Sequence, residues 1–213
     1  MIFYFSATGN SKYVAERVAG ATDDHLIFLR DAIRSRCYHF DVSLEKRIGF
    51  VVPAYCCGLP SILNFFVDKL RLSGYEDQYV YLVLTCGSAT GDAAGQLGKL
   101  LGKKGIALNA QFAVPMVDNN VTAHKIPDRE EIDRRLDGAE EYIDEACRAI
   151  RARGAGDYNR CQGALPGALT AASYPAYAFG RSTKPFVVTG ACIGCGLCQE
   201  ICPCGAITLT DGR

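Results

Sequence analysis

The chain has 213 residues, 49% hydrophobic and 22% charged, which is ordinary for a globular protein with one main core. Lys plus Arg and Asp plus Glu both number 23, so the zero net charge gives no reason to expect nucleic acid or an anionic membrane as a partner. The opening MIFYFSATGN lacks the features of a signal peptide, and the spacing of the eleven cysteines is not that of a secreted disulfide scaffold. We therefore expect a reducing cytoplasm, in an organism little exposed to oxygen.

Strand-like apolar runs alternate with helical segments through the first 150 residues. The predicted strands are 2–5, 25–29, 47–52, 79–85 and 106–114. The predicted helices are 10–20, capped by Asn10 and ended by Gly20, then 61–72, 92–105 and 128–153, whereas 30–46 shows no clean helical period. Strands that are apolar on both faces and joined by helices predict an α/β fold, with a doubly wound five-stranded parallel sheet in the order 2-1-3-4-5.

The composition changes after Gly154 to Gly, Ala, Pro and Tyr, which predicts a boundary there. We expect a main domain over 1–153, a linker packed on it over 154–185, and a small cysteine-rich segment over 186–213. Residues 161–180 carry no charge, but their prolines, glycines and few Leu, Ile or Val side chains favour the packed linker over a membrane span.

The loop FSATGNS (5–11) lies between the first strand and the first helix, where doubly wound folds bind phosphate. It matches neither the dinucleotide-binding glycine pattern nor a P-loop. Hydroxyl and amide side chains, a glycine and the free N–H groups of a helix start suit a mononucleotide phosphate, although a simple capped turn is the alternative. The candidate residues are Ser6, Ala7, Thr8, Gly9, Asn10 and Ser11.

Two further loops, PAYCCGLP (53–60) and CGSATG (86–91), follow the third and fourth strands, whose carboxyl ends meet the first loop at the same sheet edge. Their small residues allow backbone amides to approach a flat polar ring, and Tyr55 is placed either to stack on that ring or to remain a half-buried loop aromatic. The candidates here are Pro53, Ala54, Tyr55, Cys56, Gly58, Cys86, Gly87 and Ser88, with Asn119 and Asn120 after the fifth strand at the border.

The run CIGCGLCQEICP has the spacing C-x2-C-x2-C-x3-C-P that binds iron–sulfur clusters in bacterial ferredoxins. Its candidate ligands are Cys192, Cys195, Cys198 and Cys202, whose thiolates are the soft donors that such clusters need. Structural zinc is the alternative, although zinc cysteines come as two pairs separated by a longer loop.

Ser6-Ala7-Thr8-Gly9-Asn10-Ser11 resembles the FMN-phosphate loop of flavodoxins. Together with the two loops and the terminal cysteine run, it makes nearly the whole chain similar to the fused flavodoxin–ferredoxin family of anaerobic bacteria and archaea. The resemblance implies a flavodoxin-like fold, FMN and [4Fe–4S] cofactors, and electron transfer with redox partner proteins. Two departures are the Cys56-Cys57 pair, where family members often carry Trp, and the lack of a second cysteine run.

In two-cluster ferredoxins the fourth cysteine of such a run ligates the other cluster. Here the strand-like 206–210 is followed by Asp211-Gly212, a hairpin-turn signal, and then only Arg213. We therefore expect a truncated segment that holds its cluster poorly or not at all, while FMN binds readily. Cys192, Cys195 and Cys198 are then expected to serve one cluster and Cys202 the other, and Cys204, Cys161 or a second molecule remain open as substitutes for the fourth ligand.

The leading functional hypothesis is an electron-transfer flavoprotein, since a flavin passes one or two electrons and a cluster passes one. An FMN-dependent NAD(P)H:quinone-type reductase is the alternative, and a non-redox binding module with structural zinc is a third. Outside the run, Cys86 and Cys147 are expected to be small core residues, and redox activity of Cys56-Cys57 stays open because adjacent cysteines rarely reach relaxed disulfide geometry.

Overall fold

A parallel sheet with helices on both faces forms the centre of the chain. The structure is a computed structural model and describes residues 1–118, 120, 125–179 and 186–210. The strands in these residues are β1 (Ile2–Tyr4), β2 (Leu26–Phe28), β3 (His39–Asp41), β4 (Arg47–Pro53), β5 (Arg71–Ser73), β6 (Tyr79–Cys86), β7 (Ala110–Pro115) and β8 (Gly156–Tyr158). The helices are α1 (Asn10–Thr22), α2 (Leu29–Arg34), α3 (Ser61–Lys69), α4 (Ala93–Gly102), α5 (Arg129–Arg151), α6 (Pro166–Phe179) and α7 (Leu197–Ile201).

Six strands form one sheet in the order β2-β1-β4-β6-β7-β8, and each neighbouring pair is parallel. The first five reproduce the predicted order 2-1-3-4-5, so the flavodoxin-like α/β fold is confirmed. The sixth strand, β8, extends the predicted sheet beside β7, and the N–H of Gly156 donates to the carbonyl of Asn109 at 2.9 Å. Three residues that include a glycine make no apolar run, so sequence pattern did not predict β8.

The core lies on both faces of this sheet. All eight residues of β6 are buried, as expected for a central parallel strand covered on both sides. On one face, side chains such as Phe50 and Leu82 pack with α3 and α4. On the other face, side chains such as Val51 and Val83 pack with α1 and α5. The sheet is therefore doubly wound.

Several element boundaries differ from the predicted ones. Residues 30–46, in which no period was found, contain α2 and β3, and β3 pairs with β5 in a separate parallel two-stranded sheet. The helix predicted over 61–72 ends at Lys69 because the chain then extends into β5, and the strand predicted from 106 begins at Ala110. The first helix continues past Gly20 to Thr22.

The helix starts at Asp128 and Asn10 have different outcomes. The helix predicted to start at Asp128 has this residue as its cap, with the carboxylate accepting from the N–H of Glu131 at 2.9 Å. Asn10 is instead the first residue of α1, and its side-chain amide donates to the carbonyl of Val117 at 3.0 Å. Asn10 therefore ties the first loop to the chain after β7 and does not cap its own helix.

The uncharged stretch after Cys161 forms α6, which packs on the main sheet domain. Tyr174 in α6 donates to the carbonyl of Leu59 at 2.6 Å and accepts from the side-chain amide of Asn64 at 3.0 Å. In the described part of the chain, no helix is both long and apolar enough to cross a bilayer.

The tail after the cysteine run departs from the predicted hairpin. Residues 206–210 were predicted as strand-like, yet in the described structure they form no strand. The N–H of Leu209 donates to the side-chain carbonyl of Gln199 at 2.7 Å. This backbone group therefore bonds to a side chain and not to a neighbouring strand. The predicted turn at Asp211-Gly212 lies outside the described residues.

Candidate functional site

A cavity of about 410 Å³ opens at the carboxyl ends of β1, β4 and β6, where the strand order reverses. This is the position at which open α/β sheets bind their ligands. The cavity is lined by Ser6, Ala7, Thr8, Asn10, Ser11, Pro53, Ala54, Tyr55, Cys56, Cys57, Thr85, Cys86, Gly87, Ser88, Ala89, Val117, Asp118, Asn120 and Tyr177. All three predicted loops therefore meet at one site.

The first loop is fixed by its own hydrogen bonds. The hydroxyl of Ser6 accepts from the N–H of Gly9 at 3.0 Å, and Gly9 has a φ of 115°, a conformation that favours glycine. The buried hydroxyl of Ser11 lies 2.7 Å from that of Thr85, which joins the loop to the end of β6. The loop thus holds a set shape at the start of α1, where a helix presents unbonded N–H groups.

The second loop is a tight hairpin between Tyr55 and Gly58. The N–H of each residue donates to the carbonyl of the other, at 2.9 and 3.0 Å. Cys56 and Cys57 between them have φ values of 46° and 58°, a left-handed conformation that is costly for non-glycine residues. Strain of this kind persists where surrounding contacts hold it, and here helix α6 supplies those contacts.

Hydroxyls of α6 contact the strained turn. Thr170 donates to the carbonyl of Cys57 at 2.5 Å and accepts from the N–H of Asp92 at 2.8 Å. The Ser173 hydroxyl donates to the Leu169 carbonyl at 2.7 Å within α6 and lies 3.0 Å from the carbonyl of Cys56. Helix α6 is therefore part of the wall that shapes the cavity.

The aromatic wall of the cavity contains two tyrosines. The rings of Tyr55 and Tyr177 lie 5.6 Å apart between centroids at an interplanar angle of 47°. The Tyr177 hydroxyl is 3.1 Å from that of Ser61 and accepts from the Ser61 N–H at 3.2 Å. Burial raises the pKa of Tyr55 to about 12, and the nearby Tyr177 and Cys204 add to the effect. Tyr55 is therefore neutral at physiological pH.

The third loop approaches the chain after β7. A Cβ added at Gly87 would lie 2.9 Å from a carboxylate oxygen of Asp118, so only glycine leaves this approach free. The carboxylate of Asp118 also accepts from the N–H of Asn120 at 3.0 Å. An acidic side chain therefore stands at the cavity wall beside the loop after β6.

The structure brings together most of the residues predicted for the cavity. Gly9 and Gly58 are not among its lining residues, and Asn119 lies outside the described residues. Sequence reasoning missed Cys57, Thr85, Ala89, Val117, Asp118 and Tyr177. In the uncharged stretch that forms α6, Tyr174 and Tyr177 were the one feature of the sequence that could have indicated a contribution of this helix to the cavity.

The predicted cluster ligands lie in the C-terminal segment around α7. Cys195 and Cys198 are exposed, and Cys192 and Cys202 are half-buried. In the described residues no three His, Cys, Asp or Glu side chains are placed to hold one metal ion, so the four thiols are near in sequence but not gathered. The N–H of Ala206 donates to the Cys202 sulfur at 3.3 Å, which lowers the pKa of that thiol and favours the ligating thiolate.

The end of the cysteine run contacts the first loop of the cavity. The guanidinium of Arg30 donates to the carbonyl of Pro203 at 2.6 Å. The sulfur of Cys204 lies 3.9 Å from the carbonyl oxygen of Ser6, and burial raises the pKa of its thiol. The cysteine-rich segment therefore reaches the mouth of the cavity.

Comparisons with known proteins give a family match for the C-terminal segment. Residues 185–208 match the family model of the 4Fe-4S binding domain. No curated protein sequence matches the chain significantly.

The chain is similar to several solved structures, each with low sequence identity. For the Trp repressor binding protein of Bacillus subtilis, identity is 17% and the TM-score 0.45, covering 71% of this chain and 97% of that one. For the NAD(P)H:quinone oxidoreductase of Methanothermobacter marburgensis, identity is 14% and the TM-score 0.45, and the match covers 70% of this chain and 94% of that one. For two-electron reduced flavodoxin of Megasphaera elsdenii, identity is 18% and the TM-score 0.42, and the match covers 65% of this chain and 97% of that one. From its own strand order and the family match, the chain combines a flavodoxin-like sheet with a ferredoxin-type C-terminal segment.

Proposed function

We propose that this chain is an electron-transfer flavoprotein, which binds FMN in the cavity, holds a [4Fe–4S] cluster in its C-terminal segment and exchanges electrons with redox partner proteins. The observation that carries the proposal is the contact between the two parts. The segment that matches the 4Fe-4S binding domain places Cys204 3.9 Å from Ser6 in the first cavity loop. Two redox groups held in this way lie close together, as electron transfer between them requires.

The first loop fits the phosphate of FMN by the chemistry of its donors. Thr8, Asn10 and Ser11 line a cavity whose described lining contains no Lys or Arg. A phosphate there is held by backbone N–H groups at the start of α1 and by hydroxyls, since a helix N-terminus favours an anion. Flavin phosphate binding thus needs no cationic side chain from this site.

The other two loops fit the flavin ring. The volume of about 410 Å³ lies in the range of small-molecule sites, and Tyr55 with Tyr177 supplies aromatic surface for stacking. The backbone of the strained Cys56-Cys57 turn and of Gly87 borders the cavity, so N–H and C=O groups are available to the polar ring edge. When bound, the flavin supplies one- and two-electron chemistry, and the protein sets its access and environment.

The C-terminal cysteines fit a cluster by donor type. Cys192, Cys195 and Cys198 would hold it, and we propose Cys202 as the fourth thiolate, although this position ligates the other cluster in two-cluster ferredoxins. The thiols are not gathered in the structure, so cluster binding requires the loop to close around the inorganic core. The N–H donated to the Cys202 sulfur is a contact that supports a thiolate at this position.

The test is anaerobic purification, reconstitution with FMN, iron and sulfide, and counting of flavin and iron per chain. The match of residues 185–208 to the 4Fe-4S binding domain favours a bound cluster over the poorly held one expected from the sequence. We therefore expect one FMN per chain, and iron with the broad visible absorbance of a cluster. A protein without flavin absorbance after reconstitution would refute the proposal, and zinc without iron would identify a structural zinc module. Sustained NAD(P)H-dependent reduction of a quinone by the chain alone would instead identify a reductase.

A matched pair of variants tests the phosphate site. Thr8→Val removes an exposed hydroxyl at nearly constant shape, whereas Thr8→Ser keeps it. A hydrogen bond to a charged group contributes about 1.5–3 kcal/mol, so we expect Thr8→Val to weaken FMN binding at least about tenfold. Thr8→Ser should stay within about threefold of the unaltered protein, as measured by quenching of flavin fluorescence. Equal affinities for the two variants would place the phosphate elsewhere.

A further inference from the structure

Two arginines of α2 lie against the turn that ends the cysteine run. The guanidinium of Arg30 donates to the carbonyl of Pro203 at 2.6 Å. A Cβ built on Gly205 would lie 3.2 Å from Nη1 of Arg30 and 3.4 Å from Nη1 of Arg34, so both guanidiniums are close to the backbone of this turn. The two arginines are four residues apart on one helix, which places their side chains on the same helix face. Two cationic groups therefore face the C-terminal segment together.

The same turn contains Cys202, the proposed fourth thiolate of the cluster. The N–H of Ala206 donates to the Cys202 sulfur at 3.3 Å, and the N–H of Gly205 donates to the Cys202 carbonyl at 3.0 Å. Gly205 is thus hydrogen-bonded to the ligand residue and is also the residue that the two guanidiniums approach. The positive charges of α2 consequently lie within one short turn of a ligand sulfur.

The two arginines differ in how far their charge is compensated. The guanidinium of Arg30 pairs with the carboxylate of Asp31 at 2.8 and 2.9 Å, and adjacent opposite charges largely cancel at longer range. Arg34 is exposed, and among the residues that the structure describes it has no carboxylate partner. Arg30 is therefore mainly an anchor for the turn, whereas Arg34 contributes the less compensated positive charge.

We propose that Arg34, assisted by Arg30, raises the reduction potential of the [4Fe–4S] cluster in the C-terminal segment. This role rests on the proposed function, since it needs a cluster ligated by this run. A cluster with four thiolate ligands is negatively charged, and the one electron that it takes from a reduced flavin adds a further negative charge. A nearby positive charge stabilises the reduced form more than the oxidised form, so it favours this electron uptake. The net charge around a cluster is among the features that set its potential.

The same interaction links reduction of the cluster to the docking of the segment. A cation that favours the reduced cluster by some factor is held more tightly by the reduced cluster by the same factor, because the coupling is reciprocal. The segment places the sulfur of Cys204 3.9 Å from the carbonyl oxygen of Ser6 in the first cavity loop. An electron on the cluster therefore strengthens the contact through which the segment reaches the mouth of the cavity.

The potential is measured by anaerobic redox titration of the full reconstituted chain, followed by the EPR signal of the reduced cluster. The titration is made at low salt, because salt screens exposed charges. We expect Arg34→Gln to lower the equilibrium constant for one-electron reduction about threefold, a fall of about 28 mV, since a tenfold change corresponds to about 59 mV. Arg34→Lys keeps the positive charge and should stay within about 1.5-fold of the unaltered protein.

Arg151→Gln is the matched control. It removes the same charge from an exposed arginine at the end of α5, which packs on the face of the sheet opposite that of α2. Its equilibrium constant should therefore stay within about 1.5-fold of that of the unaltered protein. A second readout separates charge from packing, namely the alkylation rate of Cys204 in chelator-treated Arg34→Gln. This rate should stay within about twofold of the unaltered value, because Arg30 still anchors the turn.

The outcomes separate this role from the proposed function. A bound cluster with the same potential in Arg34→Gln and Arg151→Gln would refute the role of Arg34 and leave the proposed function intact. An equal fall in Arg34→Gln and Arg34→Lys, or a large rise in Cys204 alkylation, would also overturn it, because the shape of the side chain and not its charge would then matter. A chain that retains no iron after reconstitution would refute the proposed function, and the role of Arg34 would fall with it.

Discussion

The two aromatic residues of the cavity, Tyr55 and Tyr177, come from different elements of the chain. Tyr55 comes from the loop after β4, whereas Tyr177 reaches the same cavity from α6 and is held there through Ser61. Their rings are 5.6 Å apart, so a ligand ring that stacks on one lies close to the other. Two tyrosines therefore provide the aromatic surface in a chain that has no tryptophan.

Substitutions at Tyr55 and Tyr177 should change FMN affinity by different amounts. An aromatic contact contributes about 0.5–1.5 kcal/mol beyond its buried area, so Tyr55→Leu is expected to weaken binding roughly tenfold. Tyr177→Phe keeps the ring and loses only the hydroxyl contact to Ser61, so its affinity should stay within about threefold. Flavin fluorescence titration measures both. A Tyr55→Leu protein with unaltered affinity would exclude stacking on this residue.

Cavity residues that directly follow strands could be predicted from the sequence. Cavity residues that reach the site through tertiary packing could not. Tyr55 and Gly87 could be placed because the carboxyl ends of neighbouring parallel strands meet at one edge. Tyr177 lies far along the chain in a stretch without charge or clear period, and Asp118 faces Gly87 only through the path taken after β7. Neither position has a local pattern that reveals its partner.

At the scale of elements, α6 stabilises the unfavourable turn of the second loop. Thr170, only 8% exposed, joins the Cys57 carbonyl to the N–H of Asp92 at the start of α4. A buried carbonyl and N–H that lose their partner each carry a desolvation cost. The left-handed Cys56-Cys57 backbone should therefore depend on one hydroxyl of a helix that sequence pattern assigned only to a linker.

Thr170→Val tests this dependence, with Thr170→Ser as its matched control. Valine keeps the shape but loses both hydrogen bonds, so we expect the free energy of unfolding to fall by about 2–3 kcal/mol. Serine keeps the hydroxyl and loses one methyl, at a cost of about 1 kcal/mol. Urea unfolding gives both values, and FMN affinity should fall in the valine variant only. Equal effects of the two variants would show that the hydroxyl does not hold the turn.

Some helices and strands could be predicted from the sequence pattern, and others could not. Long apolar strands such as β6 and the amphipathic α5 were predicted, because their patterns extend over many residues. The strands β3, β5 and β8 are as short as the predicted β1 and β2 but lack their apolar run, and they form because a neighbour supplies the hydrogen bonds. For such short segments tertiary pairing outweighs local propensity.

At the scale of the whole molecule, the contact between the cysteine-rich segment and the sheet domain decides whether the chain works as one unit. Arg30 lies on α2 with its guanidinium over the Phe28 ring, 4.9 Å from the centroid, and donates to the Pro203 carbonyl. The half-buried sulfur of Cys204 is next to Pro203 in the chain and near Ser6 in space. One arginine thus links the end of the cysteine run to the mouth of the cavity.

Arg30→Met removes this link and keeps most of the side-chain stem, while Arg129→Met, which removes a surface ion pair with Asp133, is the control. A hydrogen bond from a charged group contributes about 1.5–3 kcal/mol, so local opening around Cys204 should become at least about tenfold more frequent. In chelator-treated protein, the alkylation rate of Cys204 relative to exposed Cys195 reports this opening, since both cysteines lie in one tryptic peptide. The ratio should rise about tenfold in Arg30→Met and stay constant in Arg129→Met. An unchanged ratio in Arg30→Met would mean that the packing of Cys204, without this arginine, holds the segment against the first loop.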